Sequence, residues 1–147
     1  MRLSVKTRYA LAAMIALAGA QTEEVPCTAV RLSETLHLSV GYLEQVLLCL
    51  RRGQLIEASR GSQGGYRLRR APGQITVLDV MLVMEPAAFA RTGSTTPESA
   101  PEIDRAAEEL VYAPLDRSVQ QMLGGISIAW LQEQSAQRSL TGYMYYL

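Results

Sequence analysis

Residues 38–52 read LSVGYLEQVLLCLRR, and the spacing inside them decides the fold. Leu43, Val46, Leu47 and Leu50 recur at i, i+3, i+4 and i+7, the signature of one buried helix face. Ser39 stands just ahead of them as a residue suited to cap the helix, whose hydroxyl can accept a free backbone N–H. The first turn and a half carries Gly41, Tyr42, Glu44 and Gln45. A helix anchored by an aliphatic side, with small and polar side chains near its start, suits an element that lays its N-terminal residues against base edges in a major groove.

Working outward, residues 5–19 read as a first helix stopped by Gly19, a residue type suited to a left-handed terminal position. Thr28 caps a second helix whose apolar side is Ala29, Val30, Leu32 and Leu36. His37-Leu38-Ser39 makes the turn into the third. Beyond Leu55 the apolar period drops towards two. Residues 56–59 and 65–68 then form two strands, with Arg60-Gly61-Ser62-Gln63-Gly64 as the tip between them. Helix, helix–turn–helix and hairpin, in that order, give a mainly α fold: a winged helix–turn–helix domain.

Charge agrees with this placement. Fourteen Lys and Arg balance fourteen Asp and Glu. Residues 1–75, however, hold ten basic and five acidic residues, against four and nine in the remainder. A basic first half on a neutral chain points to a local polyanion-binding surface. Arg60 at a glycine-bordered tip suits entry into a narrow minor groove, where negative potential favours a guanidinium. Arg67, Arg69 and Arg70 suit phosphate neutralisation, as do Arg2, Lys6 and Arg8 on the first helix. That basic start, the apolar run 9–18 and Ala18-Gly19-Ala20 also fit a secretory signal. The competing reading is an amphipathic helix with Tyr9, Ala13 and Leu17 on one face, and the helices that follow favour it. No apolar run reaches the ~18 residues of a membrane span, and the expected location is the cytoplasm.

In the second half, residues 76–84 read as a short helix and residues 86–101, rich in Ser, Thr, Pro and Gly, as a linker loop. Ile103, Ala106, Ala107, Leu110 and Val111 then follow the helical period, continued by Leu115, Val119, Met122, Leu123 and Ile126 past Pro114, which should kink or restart the helix. Residues 126–134 read as a final short helix or turn, before the apolar tail Tyr143-Met144-Tyr145-Tyr146-Leu147. A long amphipathic helix outside a small domain buries its stripe in a partner. The chain therefore divides into a DNA-binding domain (1–75), a short helix and linker (76–101), and a dimerisation helix with tail (102–147). The expected dimer contacts are Ile103, Leu110, Leu115, Val119, Met122, Leu123 and Ile126.

Met1-Arg2-Leu3-Ser4 with Lys6 and Arg8-Tyr9-Ala10, Leu38-Ser39 with Tyr42-Leu43-Glu44-Gln45, Leu50-Arg51-Arg52, and Arg60-Gly61 with Gly64-Gly65-Tyr66 together resemble the Rrf-two family of bacterial winged-helix transcription regulators. Weaker agreement continues through 77–84 and 115–131. The resemblance implies a homodimer that binds a pseudo-palindromic operator in double-stranded DNA, without catalysis, as a repressor. It assigns base and groove contacts to Ser39, Tyr42, Glu44, Gln45 and Arg60. The expected DNA-contacting set also includes Arg2, Ser4, Lys6, Tyr9, Thr28, Val40, Gly41, Arg51, Gly61 and Ser62. Gly41 stands where the family pattern has serine, and Gly53-Gln54 departs from the usual order after the helix. The signal-peptide reading falls here, because cleavage would remove a helix of the DNA-binding domain.

Cluster-binding members of the family use three cysteines in the loop before the long helix. Residues 86–101 hold neither cysteine nor histidine, and position 8 is arginine. Iron–sulfur clusters need thiolates, so no metal and no cofactor is expected. Cys27 and Cys49 exclude a disulfide framework or a four-cysteine zinc site and read as packed thiols. His37 reads as a turn residue, and Glu98, Glu102, Asp104, Glu108 and Glu109 as a solvated, dipole-favoured helix start. No nucleophile–base pair or phosphate loop suggests an enzyme. The alternatives are a regulator controlled by a partner protein, or by a small-molecule or redox signal in place of a cluster.

Overall fold

The computed structural model describes residues 3–21, 25–89 and 96–144, with side chains through residue 142. Helix α1 spans Val5–Ala20, α2 Ala29–Leu36 and α3 Val40–Arg52. Each begins on a hydroxyl that accepts a backbone N–H three residues on: Ser4 from Thr7, Thr28 from Arg31 and Ser39 from Tyr42. These caps satisfy donors that the first turn leaves unpaired. The core forms where α1 turns Ala10, Ala13, Met14 and Leu17 towards Leu43, Val46, Leu47 and Leu50 of α3, with Leu32 of α2 beside them. Small alanines on α1 let the two backbones approach.

Gly19 does not stop α1. The helix runs on to Ala20, and Gly19 lies beside the Gln132 side chain of the last helix. The stops that matter fall on other residues. His37 (φ 54°) and Gln54 (φ 59°) both adopt the left-handed conformation. After α2, Leu38 N–H donates to the Ser33 carbonyl and His37 N–H to Glu34. After α3, Leu55 N–H donates to Leu50 and Gln54 N–H to Arg51. Both ends are thus closed by the same paired-bond cap, with a non-glycine in the position that favours glycine. The departure at Gly53-Gln54 has a steric cause: a Cβ at Gly53 would lie 2.4 Å from the Val83 side chain. Glycine is needed one position earlier, and Gln54 takes the left-handed turn.

Strands β1 (Ile56–Ser59) and β2 (Gly65–Leu68) form the wing, in antiparallel register from Ile56↔Leu68 to Ser59↔Gly65. A contact from far upstream adds a third edge, because Cys27 and Tyr66 exchange both backbone hydrogen bonds, at 3.1 and 2.8 Å. A Cβ at Gly65 would sit 2.6 Å from the Cys27 carbonyl oxygen, so this close approach requires glycine.

Helix α4 (Val77–Met84) opens on a reciprocal cap between Thr76 and Asp79 and leads into the short α5 (Pro86–Phe89). The segment expected to be loop throughout therefore starts as helix. Phe89 buries against Val77 and Met81, and its carbonyl accepts from the Gln120 side chain. After residue 101 come α6 (Glu102–Ala107), a π-helical turn (Glu108–Tyr112) and α7 (Ala113–Gly124). Pro114 falls in the first turn of α7, which begins where the π-helical turn ends. Ala113 N–H donates to Glu108, five residues back. The widened turn gives the proline ring room that a four-residue turn would deny it.

The last helix, α8 (Ile128–Met144), outruns the expected 126–134. Ile128 N–H donates to the Ile75 carbonyl and Val77 N–H to Ile126. Ile128 is fully buried in the same core as α1 and α3, so packing continues past residue 75. Tyr145, Tyr146 and Leu147 lie outside the described residues.

One ionic anchor ties the N-terminus to α4. Glu85 accepts from the Thr7 hydroxyl (2.6 Å) and the Ser4 N–H (2.9 Å). The Thr7 bond first, then that of Ser4, holds its carboxyl below the ordinary glutamate range. The ionised form is favoured on folding, so this contribution is present above the unfolded pKa and lost as pH falls through the folded one. Urea midpoints of the protein and of Glu85→Gln should therefore differ most at neutral pH and converge as pH drops from about 5 to about 3. Relief of left-handed strain predicts that Gln54→Gly raises unfolding free energy by about 0.5–1 kcal/mol, measured by the same titration.

Candidate nucleic-acid interface

With its aliphatic side committed to the core, α3 turns Gly41, Glu44, Gln45, Leu48, Arg51 and Arg52 outward. Ser39, at its start, already uses its hydroxyl as an acceptor for Tyr42 N–H at 3.3 Å. Val40 and Tyr42 are half-buried. Tyr42 meets Tyr9 of α1 edge to face, 5.9 Å between ring centres at 84°. These two residues, both expected to contact DNA, thus also fix how α1 and α3 cross. A Cβ at Gly41 would meet nothing within 4 Å. The serine of the family pattern would fit there without rearrangement.

The wing brings Arg60, Gly61 and Ser62 out at its tip, all exposed. Gly61 has φ 106°, and Gly64 N–H closes the turn onto the Gly61 carbonyl at 3.0 Å. A Cβ at Gly64 would lie 2.5 Å from the Ser59 carbonyl oxygen. These glycines shape the tip that presents Arg60. A cleft of about 210 Å³ between helix and wing is lined by Glu44, Leu47, Leu48, Arg51 and Tyr66. The outer side of α3 and the body of the wing thus share one surface.

Ser4, Lys6 and Thr28 occupy the starts of α1 and α2; Ser4 and Thr28 are exposed and Lys6 is partly so. Arg2 lies outside the described residues. Arg70 is engaged elsewhere: its guanidinium sits 3.6 Å from the Asp79 carboxylate and donates to the Gln74 carbonyl. Arg70 thereby joins the wing flank to α4 and to the segment before it, while its side chain stays 44% exposed. Sequence reading missed Leu48, although its offset from the buried 43/46/47/50 series marks it as outward-facing. It also missed Glu85, whose partners lie 78 and 81 residues away and leave no local signal.

The exposed stripe of the long rod is partly as expected. Ile103, Leu110, Leu115 and Met122 are 82%, 74%, 58% and 59% exposed. Val119, Leu123 and Ile126 instead pack against Val77, Met81 and Phe89 of their own chain. The i→i+5 turn keeps Leu110 and Leu115 near one face, which a regular α-helix would not do for residues five apart.

Cys27 is buried beside the wing, and Cys49 is half-exposed on α3. Among the described residues no three His, Cys, Asp or Glu side chains are placed to hold a metal ion. No described helix is long and apolar enough to cross a membrane.

A family model described as Rrf2, iron-dependent transcriptional regulator, matches residues 3–134. The HTH-type transcriptional regulator IscR of Xenorhabdus nematophila is 34% identical over 87% of this chain and 77% of its own length. The HTH-type transcriptional regulator CymR of Bacillus subtilis is 30% identical over the full length of both chains. Two solved structures superpose with TM-scores of 0.72 at 30% identity. They are CymR (YrzC), the global cysteine regulator of B. subtilis (91% of this chain, 98% of that one), and T. potens IscR (99% and 97%). With a fold, an exposed helix–wing surface and relatives that agree, the chain belongs to the Rrf2 family of winged-helix, DNA-binding transcriptional regulators and is not an enzyme.

Proposed function

We propose that two copies of this chain grip a pseudo-palindromic operator and repress transcription by occupying it. In this reading each copy lays α3 in the major groove and reaches Arg60 into the adjacent minor groove. The observation that carries it is the surface shared by the outer side of α3 and the wing, with Arg60 exposed at the glycine-shaped tip. Glu44 is suited to accept from a cytosine amino group and Gln45 to pair with an adenine edge. Arg51, Lys6, Ser4, Thr28, Tyr9, Val40, Gly41, Gly61 and Ser62 would position the duplex through its backbone, and Arg2, outside the described residues, carries a charge suited to the same role. The exposed Ile103, Leu110, Leu115 and Met122 form the stripe through which copies would pair, with Val119, Leu123 and Ile126 supporting it from beneath.

An iron–sulfur cluster in the loop before α6 does not fit this chain. The sequence from residue 50 onward contains no cysteine. Cys27 lies on the wing's third edge and Cys49 on α3, and two thiols fall short of the three such a loop supplies in cluster-binding relatives. This absence of donors favours a second reading of regulation, in which a partner protein or a small molecule provides the signal.

Arg60→Ala should weaken binding to a selected operator duplex by about 1–3 kcal/mol. Fluorescence anisotropy titration measures this, and unchanged affinity would remove Arg60 from the interface. Leu110→Asp combined with Met122→Asp should convert the protein to monomers in sedimentation velocity while leaving its helical circular dichroism intact. A dimer that survives both charges would place the contact elsewhere.

A further inference from the structure

Leu48 is 37% exposed in the middle of α3, although Leu43, Val46, Leu47 and Leu50 already fill that helix's core face. It lies one turn beyond Glu44 and one turn before Arg51, and it borders the cleft between helix and wing together with both of them and Tyr66. An aliphatic side chain on this otherwise polar and charged surface is redundant for the core. A major groove offers it one apolar counterpart, the 5-methyl group of thymine; every other base feature there is a hydrogen-bond donor or acceptor.

We propose that Leu48 is a specificity-determining residue that selects a thymine by its methyl group, an inference that rests on α3 being the base-reading helix. Contact with the methyl removes apolar surface from water on both sides. A cytosine or purine edge in the same place would face a hydrocarbon and lose its hydrogen bonds to solvent. The selection thus has an attractive and a repulsive component. One helical turn advances the contact about 6 Å from Glu44, so the thymine lies about two base pairs from the pair that Glu44 reads.

The test uses the full-length protein and the duplex recovered by selection from a random pool. Each thymine is replaced in turn by deoxyuridine, which removes only the methyl. At one thymine per half-site the unaltered protein should lose affinity about four-fold, the effect expected for one buried methyl. Leu48→Ala should bind the thymine and uracil duplexes equally. Arg60→Ala, though weaker overall, should keep the four-fold ratio. If no replacement weakens the unaltered protein, or if Leu48→Ala retains the ratio, the assignment of Leu48 is wrong. A selection that returns no preferred sequence overturns the base-reading role of α3, and this inference with it. A purely structural role for Leu48 against Tyr66 would not produce a methyl-dependent ratio.

Discussion

The structure depends on the burial of one side of α3 against the alanine face of α1. Leu43, Val46, Leu47 and Leu50 are all fully buried, and so are Ala10 and Ala13 opposite them. Each buried aliphatic side chain stabilises the domain by about 1.5–3 kcal/mol relative to exposure, and none of these can be turned outward without opening the core. The opposite face of α3 is therefore solvent-facing by necessity. The edge-to-face pair of Tyr9 and Tyr42 fixes the same crossing at the helix start. What the domain offers to a duplex is the remainder left by its own packing.

The same packing separates what is legible in the sequence from what is not. The helix period of α3, the Thr28 and Ser39 caps and the two strands of the wing are local patterns, and each appears where its spacing places it. Features created by distant segments left no local trace. The Cys27–Tyr66 edge, the Glu85 anchor and the engagement of Arg70 by Asp79 each join residues that no short window contains. Helix α8 was underestimated because beyond Leu131 it is mostly exposed, with few apolar positions to mark a period. Gly19 misled because glycine signals a stop only where the chain needs a left-handed residue, and here His37 and Gln54 take that conformation instead.

The candidate interface was legible to a similar degree. Glu44, Gln45, Arg51 and the wing tip are exposed as expected. Val119, Leu123 and Ile126 share the period of the free stripe, and a single helical period cannot tell a partner from the helix's own domain. Their contact with Val77, Met81 and Phe89 depends on where α4 and α5 lie. The family fold survives in a chain without the donors for a loop-bound cluster because its stability rests on the α1–α3 core.

The π-helical turn at Glu108–Tyr112 carries a consequence for how this rod tolerates change in length. It holds one residue more than a regular turn needs, taken up as a local bulge. Losing Val111 or Tyr112 would restore four-residue spacing between Leu110 and Leu115 and keep both on one side, but would close the turn onto the Pro114 ring. Losing a residue within Ala113–Gly124 would instead swing everything beyond it by about 100°, carrying Leu123 off its seat on α4. A shorter rod is therefore compatible with this fold at the widened turn only if Pro114 is exchanged as well, and not within the helix that follows.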